Sequence, residues 1–257
     1  MSLIQTLKRN RETFLDRHVE ASDRSARLFS ATTYALWKAC RPVMADHCAG
    51  LVLDAGSGRG SWRNVILETA SQYESIDIAP RAGDRPTWIG DVCEMPHVPA
   101  ERYDTVVCHQ VLEHLRRPWR AVAEFHRVLK PGGALILSVP HLSRRHELPH
   151  DYFRFTQEGL EALLEDAGYA QIVTRPYGGI LSFIHHQTSF ILPGTLLGVP
   201  VLGCGAAALN AVWSWLLSSI DSAVDRGALI PVGIVVVARK PSESTLLTDP
   251  AAIGQAG

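Results

Sequence analysis

Apolar positions along the chain change rhythm near residue 50. Residues 3–45 follow a helical rhythm, with breaks expected near Ser30 to Thr33 and at Pro42. From residue 51 onward short apolar runs alternate with helical stretches. The runs are LVLDAG (51–56), YESID (73–77), TWIGD (87–91), YDTVVCH (103–109), ALILSVP (134–140), QIVTR (171–175) and GIVVVAR (233–239). β-Branched residues crowd several of them, as expected of strands buried on both faces of a parallel sheet. Helices are predicted between them. One covers 61–70. A second begins at Pro118, places Val122, Phe125 and Leu129 on one face, and stops at KPGG. A third starts at a Thr156 cap, carries Leu160, Leu163 and Leu164, and ends at Gly168. Strand and helix in alternation predict an α/β fold, a doubly wound sheet with helices on both faces.

One stretch departs from this alternation. Between Arg175 and Asp221 there is no Lys, Arg, Asp or Glu, and Pro193, Pro200 and several glycines divide the segment. Residues 206–220 place Leu209, Trp213, Leu216 and Ile220 on one side of a predicted helix. Asn210, Ser214 and Ser218 form a narrow polar line opposite. About 20 apolar residues can span a bilayer, but both flanking strands must reach one sheet, so a single crossing is excluded. Pro200 and the glycines oppose two crossings. The expected roles are a membrane-interface patch, a lid for an apolar acceptor or a homodimer surface, with a helical subdomain covering its own core as the plain alternative.

Charge narrows the partners. Lys plus Arg number 25 against 26 Asp plus Glu, so no global field points to nucleic acid, and none is expected as a partner. The five cysteines, Cys40, Cys48, Cys93, Cys108 and Cys204, form no metal-type spacing and read as thiols in a reducing compartment. The first twenty residues mix charge signs and lack an apolar core, so no secretory signal is expected. The expectation is a cytoplasmic protein, with peripheral membrane contact if the charge-free segment touches lipid.

The chemistry starts at LVLDAGSGRG. A strand, a glycine turn and a helix surround an anionic group with backbone N–H donors. Gly56, Gly58 and Gly60 give G-x-G-x-G instead of the dinucleotide G-x-G-x-x-G, and Asp54 would repel a pyrophosphate. An acid there attracts a positively charged ligand, and S-adenosylmethionine carries a sulfonium and an ammonium. Two more acids end predicted strands, where ligands of open α/β sheets bind. Asp77 is placed to accept from ribose hydroxyls. Asp91 is placed to accept from the adenine amino group, with the Val92 amide toward the ring.

Taken in order, LVLDAGSGRG, SIDIAP, GDVCEMP, YDTVVCHQVLEHL and VLKPGGALILSVP resemble the motifs of class I S-adenosylmethionine-dependent methyltransferases of the small-molecule branch (methyltransferase type 11-like). The resemblance implies a Rossmann-like seven-stranded sheet of order 3-2-1-4-5-7-6. Its last strand is antiparallel; family members usually join their last two strands by a short hairpin, whereas here a helical insertion of more than fifty residues is expected between them. The resemblance also implies cofactor contacts from Asp54, Ala55, Gly56, Ser57, Gly58, Gly60, Asp77, Ile78, Asp91, Val92 and His109. The expected division is a helical cap (1–45), an α/β cofactor-binding core (46–177), the insertion (178–228), the last core strand (229–241) and a tail (242–257).

Two histidine-rich stretches are candidates for the transfer step. HQVLEHL offers His114 and resembles E-V-L-E-H of quinone-biosynthetic O-methyltransferases, where two glutamates and the histidine are associated with a divalent metal. Gln110 replaces the first glutamate, and an amide is a poorer ligand for a hard cation, so no metal is expected. HLSRRHELPHDYFRFT (141–156) offers His150 with Asp151 as a base and its orienting partner, and Tyr152 and Arg154 as acceptor contacts. The expected reaction is methyl transfer to a small-molecule acceptor, at oxygen, on an apolar, lipid-linked or sugar substrate. The competing expectations are a catalytically silent cofactor-binding scaffold and an NAD-dependent oxidoreductase.

Overall fold

The computed structural model describes Thr6 and residues 31–81, 85–188, 200–224 and 229–242. Apart from Thr6, the expected helix over 3–30 lies outside the described residues, as do Pro193 and the tail beyond residue 242. By packing, the chain divides into two units. One comprises Pro42–Val139, Glu147–Arg175 and Val235–Gly257, the other Met1–Arg41, Pro140–His146 and Pro176–Ile234.

The strands are β1 (Leu51–Ala55), β2 (Gln72–Asp77), β3 (Trp88–Ile89), β4 (Tyr103–His109), β5 (Leu129–Pro140), β6 (Ala170–Tyr177) and β7 (Gly233–Arg239). They form one seven-stranded sheet of order β3-β2-β1-β4-β5-β7-β6. β1 pairs in parallel with β2, matching Ala55 to Ile76, and with β4, matching Asp54 to Val107. β7 runs against β5. Gly132 donates to the Lys240 carbonyl, Lys240 donates to the Gly133 carbonyl, and at the far end His141 donates to Val232. Such paired bonds at opposite strand ends belong to an antiparallel ladder.

The helices are α1 (Ala31–His47), α2 (Arg63–Ile66), α3 (Pro118–Val128), α4 (Gln157–Asp166), α5 (Ile180–Thr188) and α6 (Pro200–Val224). α3 opens on Pro118 and buries Val122, Phe125 and Val128. Thr156 caps α4, its hydroxyl accepting from the Gly159 amide at 3.1 Å. Four expectations are corrected. Ala31 to Thr33 are helical, and α1 runs through Pro42. Pro42 is exposed while the neighbouring Val43 and Met44 are buried, so packing outweighs the missing amide bond. Residues 61–70 yield only the four-residue α2, followed by turns. TWIGD shrinks to two paired residues; there Trp88 donates to Glu74 at 3.0 Å, and Ser75 and Thr87 exchange side-chain bonds.

The fourth correction concerns the charge-free segment. Its helix, expected over 206–220, runs from Pro200 to Val224 and buries its polar line. Asn210, Ser214, Ser218 and Asp221 are buried, while Leu209, Trp213 and Ile220 on the apolar side are exposed. The reason is a cap. A helix N-terminus leaves its first amides without intrahelical acceptors. At the start of α5 the Asp221 carboxylate accepts from Gly179 at 3.1 Å, Leu181 at 2.9 Å and Ser182 at 2.7 Å. Three amides converging on one buried carboxylate fix which side of α6 faces inward. Replacing Asp221 with Ala strands those amides and should destabilise this unit by about 2–4 kcal/mol. Urea unfolding followed through Trp213 and Trp215 measures the loss.

Candidate active site at the strand tips

β1 ends where the chain must turn sharply. The amides of Gly56 and Ser57 both donate to the Ile76 carbonyl, at 2.8 and 3.2 Å, and the Gly58 amide donates to Asp77 Oδ2 at 2.8 Å. Gly56 and Gly58 adopt φ of +76° and +61°, which favour glycine. Their reasons differ. A Cβ on Gly56 would meet Val111 Cγ2 at 2.5 Å, whereas one on Gly58 would meet nothing within 4 Å. Gly56 is required by packing, and Gly58 presents bare backbone to open space. The Ser57 hydroxyl is buried and has no hydrogen-bond partner among the described residues.

The open space is a cleft of about 780 Å³, within the size range of small-molecule sites. Its walls include Gly56, Gly58, Asp77, Ile78, Asp91 and Val92 of the expected cofactor contacts. His114, His150 and Tyr152 of the expected transfer residues also line it. Asp91 follows β3 and its Oδ1 accepts from the Cys93 amide at 2.8 Å. The open backbone at Gly58 and two acids in one cleft suit a ligand with both cationic and hydroxyl-rich parts, while Ser57 is not among the walls. The residues present fit S-adenosylmethionine.

Other expected contacts do not line the cleft. Asp54 is buried, and its Oδ2 accepts from the Tyr73 hydroxyl at 2.9 Å. Ala55 is buried, and Gly60 closes a turn by donating to the Ser57 carbonyl at 2.9 Å. His109 does end β4, but its ring is buried, 4.6 Å from the Trp62 ring and with Nδ1 2.9 Å from Ser138 Oγ. Burial pushes its pKa down to about 3, so the ring is neutral.

The histidine-rich loop is organised around Tyr152. His150 Nδ1 lies 2.9 Å from the Tyr152 hydroxyl, which accepts from Arg116 Nε at 3.2 Å. The Arg116 guanidinium also sits over the Tyr152 ring at 5.5 Å. The amides of Tyr152 and Phe153 donate to the Glu113 carbonyl at 2.8 and 3.2 Å, and His114 Nδ1 is 2.6 Å from the His150 carbonyl. The expected pairing of His150 with Asp151 does not form. Asp151 is instead gripped by Arg154, at 2.6 and 2.9 Å. Neighbouring side chains of an extended stretch diverge, so positions 150 and 152 meet while 151 turns away. Arg154 is thereby committed to the loop and is absent from the cleft wall.

Sequence reading missed several wall residues, among them Arg81, Gln110, Arg116, Arg117, Arg120 and Glu147. The basic cluster in HLRRPWR was the available signal for three of the arginines. Gln110, weighed in the sequence only as a poor metal ligand, reaches the wall through a left-handed turn, φ +56°, with its backbone amide donating to the Ser138 carbonyl at 2.8 Å.

A family model described as a methyltransferase domain matches residues 21–174. The chain belongs to this methyltransferase family. Sheet order and family together place it among the class I S-adenosylmethionine-dependent methyltransferases, whose cofactor is S-adenosylmethionine. A Mycolicibacterium smegmatis protein named "Probable S-adenosylmethionine-dependent methyltransferase/" is 33% identical over 144 residues, covering 49% of this chain and 54% of the relative. A ubiquinone biosynthesis O-methyltransferase of Psychrobacter arcticus is 26% identical over 171 residues, covering 51% and 66%. The chain thus spans about half the length of the first of these relatives. The crystal structure of an Archaeoglobus fulgidus S-adenosylmethionine-dependent methyltransferase shares the fold, with TM-score 0.53 and 16% identity over 80% of this chain and 93% of that one.

His109 gives the site a pH signature. A histidine in the unfolded chain titrates near 6.5, while the folded ring titrates at about 3. As pH falls from 6.5 toward 3, the unfolded chain takes up a proton that the fold refuses, so stability is lost. The slope from this residue is up to about 1.4 kcal/mol per pH unit. Urea unfolding at pH 7, 6, 5 and 4 should show it, and His109→Gln should flatten it by about one proton.

Proposed function

We propose that the chain methylates an oxygen nucleophile on a small-molecule acceptor of apolar, lipid-linked or sugar character. The observation carrying this reading is the His150–Tyr152–Arg116 cluster in the wall of the cofactor cleft. A hydroxyl acceptor must lose its proton as it is methylated, and a positioned imidazole accelerates that loss. With the proton on Nδ1, His150 donates to the Tyr152 oxygen and Nε2 keeps its lone pair for the acceptor. His114 holds the His150 backbone, and Arg116 holds Tyr152.

When bound, S-adenosylmethionine supplies a methyl carbon already activated by its sulfonium. Gly56 to Gly58 hold its methionine end, Asp77 accepts from the ribose hydroxyls, and Asp91 with the Val92 amide holds the adenine. Aligning acceptor oxygen and methyl carbon then accounts for much of the rate. The similarity to a ubiquinone biosynthesis O-methyltransferase supports oxygen as the receiving atom.

The test is a labelled-methyl assay with S-adenosylmethionine against lipid extracts and sugar acceptors, with products identified by mass spectrometry. The expected product is an O-methyl ether or ester. His150→Ala should cut kcat about 100-fold and leave cofactor affinity unchanged. Methylation at nitrogen or carbon would refute the oxygen assignment. A chain that binds the cofactor but labels nothing would favour the silent scaffold.

A further inference from the structure

The inverted helix α6 points to a surface outside the cleft. Leu209, Val212, Trp213, Trp215 and Val224 are exposed by 61%, 60%, 51%, 50% and 69%, and Ile184 of α5 by 53%. A helix that buries serines and presents two tryptophans has exchanged the usual roles of its faces. Apolar surface of this kind marks an interaction site.

Charge in the same packing unit identifies the occupant. Among its described residues Lys38, Arg41 and Arg145 are exposed, and Asp221, its one acid, is buried under the start of α5. The cations sit on segments joined to α5. The Ala31 amide donates to His185 Nδ1 at 3.3 Å, Thr32 Oγ1 lies 2.8 Å from His186 Nδ1, and the Arg144 guanidinium bonds the His186 carbonyl. The unit is therefore apolar and basic without an exposed acid among its described residues. A second copy of this unit carries the same cations and so offers them no opposite charge. An anionic bilayer complements them, since Lys and Arg near its surface are attracted to the lipid headgroups. Tryptophan suits the depth where headgroups meet acyl chains. No helix among the described residues is long and apolar enough to cross a membrane, so the contact lies in the membrane plane.

We propose that the exposed faces of α5 and α6 dock this protein on an anionic lipid bilayer. This does not rest on the identity of the methyl acceptor. The full chain is mixed with vesicles of phosphatidylcholine alone or with phosphatidylglycerol, and binding is read by co-sedimentation and tryptophan fluorescence. Phosphatidylglycerol vesicles should bind it at least ten-fold more tightly than neutral ones, and added salt should erase the difference. The double variant Leu209→Glu with Trp213→Glu, changed only at exposed positions, should lose binding ten-fold or more. Arg145→Glu should weaken binding to phosphatidylglycerol vesicles alone. Calorimetric binding of S-adenosylhomocysteine stays as in the wild type in both, which confirms folding and keeps the result separate from the reading of the cleft. Equal binding to both vesicle types, no binding to either, or full binding by the double variant overturns the proposal. So does a wild-type dimer that the double variant converts to monomer, since a second copy would then occupy the face.

Discussion

The Gly58 amide donates to the carboxylate that ends the neighbouring strand. This bond, with the two amides shared by the Ile76 carbonyl, joins the exit of β1 to the tip of β2. A glycine loop alone is conformationally loose and loses much entropy when ordered. Here its shape is set by an acid that also faces the cleft. The bare backbone of Gly58, the buried Ser57 hydroxyl and the Asp77 carboxylate consequently hold fixed relative positions. Everything assigned to the cofactor depends on that tie.

Much of this was legible in the chain. Short apolar runs marked the strands, and β-branched residues crowd those buried on both faces, such as β4 and β7. The acids Asp77 and Asp91 stood out because they interrupt apolar runs at their ends. What the sequence concealed were choices between neighbours. Asp54 looked like a contact for a cation, yet its carboxylate goes to Tyr73, a pairing across strands that spacing cannot reveal. Asp151 looked like a partner for His150, but Arg154 three residues later outcompetes it with a two-point ion pair. The arginines of HLRRPWR formed a visible basic cluster, but a cluster after a turn reads equally well as a solvated face.

The insertion taught the opposite lesson. Its polar line was found correctly, and the usual expectation would turn that line to solvent. One acid at its end reverses this. Asp221 must reach the three amides that start α5, so Asn210, Ser214 and Ser218 turn inward with it and the tryptophans turn out. Local capping thus overrides hydrophobic patterning over about three turns of helix. Cleft and apolar face obey different rules, one built from backbone and acids, the other from a buried cap.

The most direct test of the account is a calorimetric titration of S-adenosylhomocysteine into the full chain and into Asp77→Ala, with NAD as control. The account predicts one site on the wild-type chain, affinity reduced ten-fold or more in the variant, and no heat from NAD. Undiminished affinity in Asp77→Ala, or saturable binding of NAD by the wild type, would contradict it.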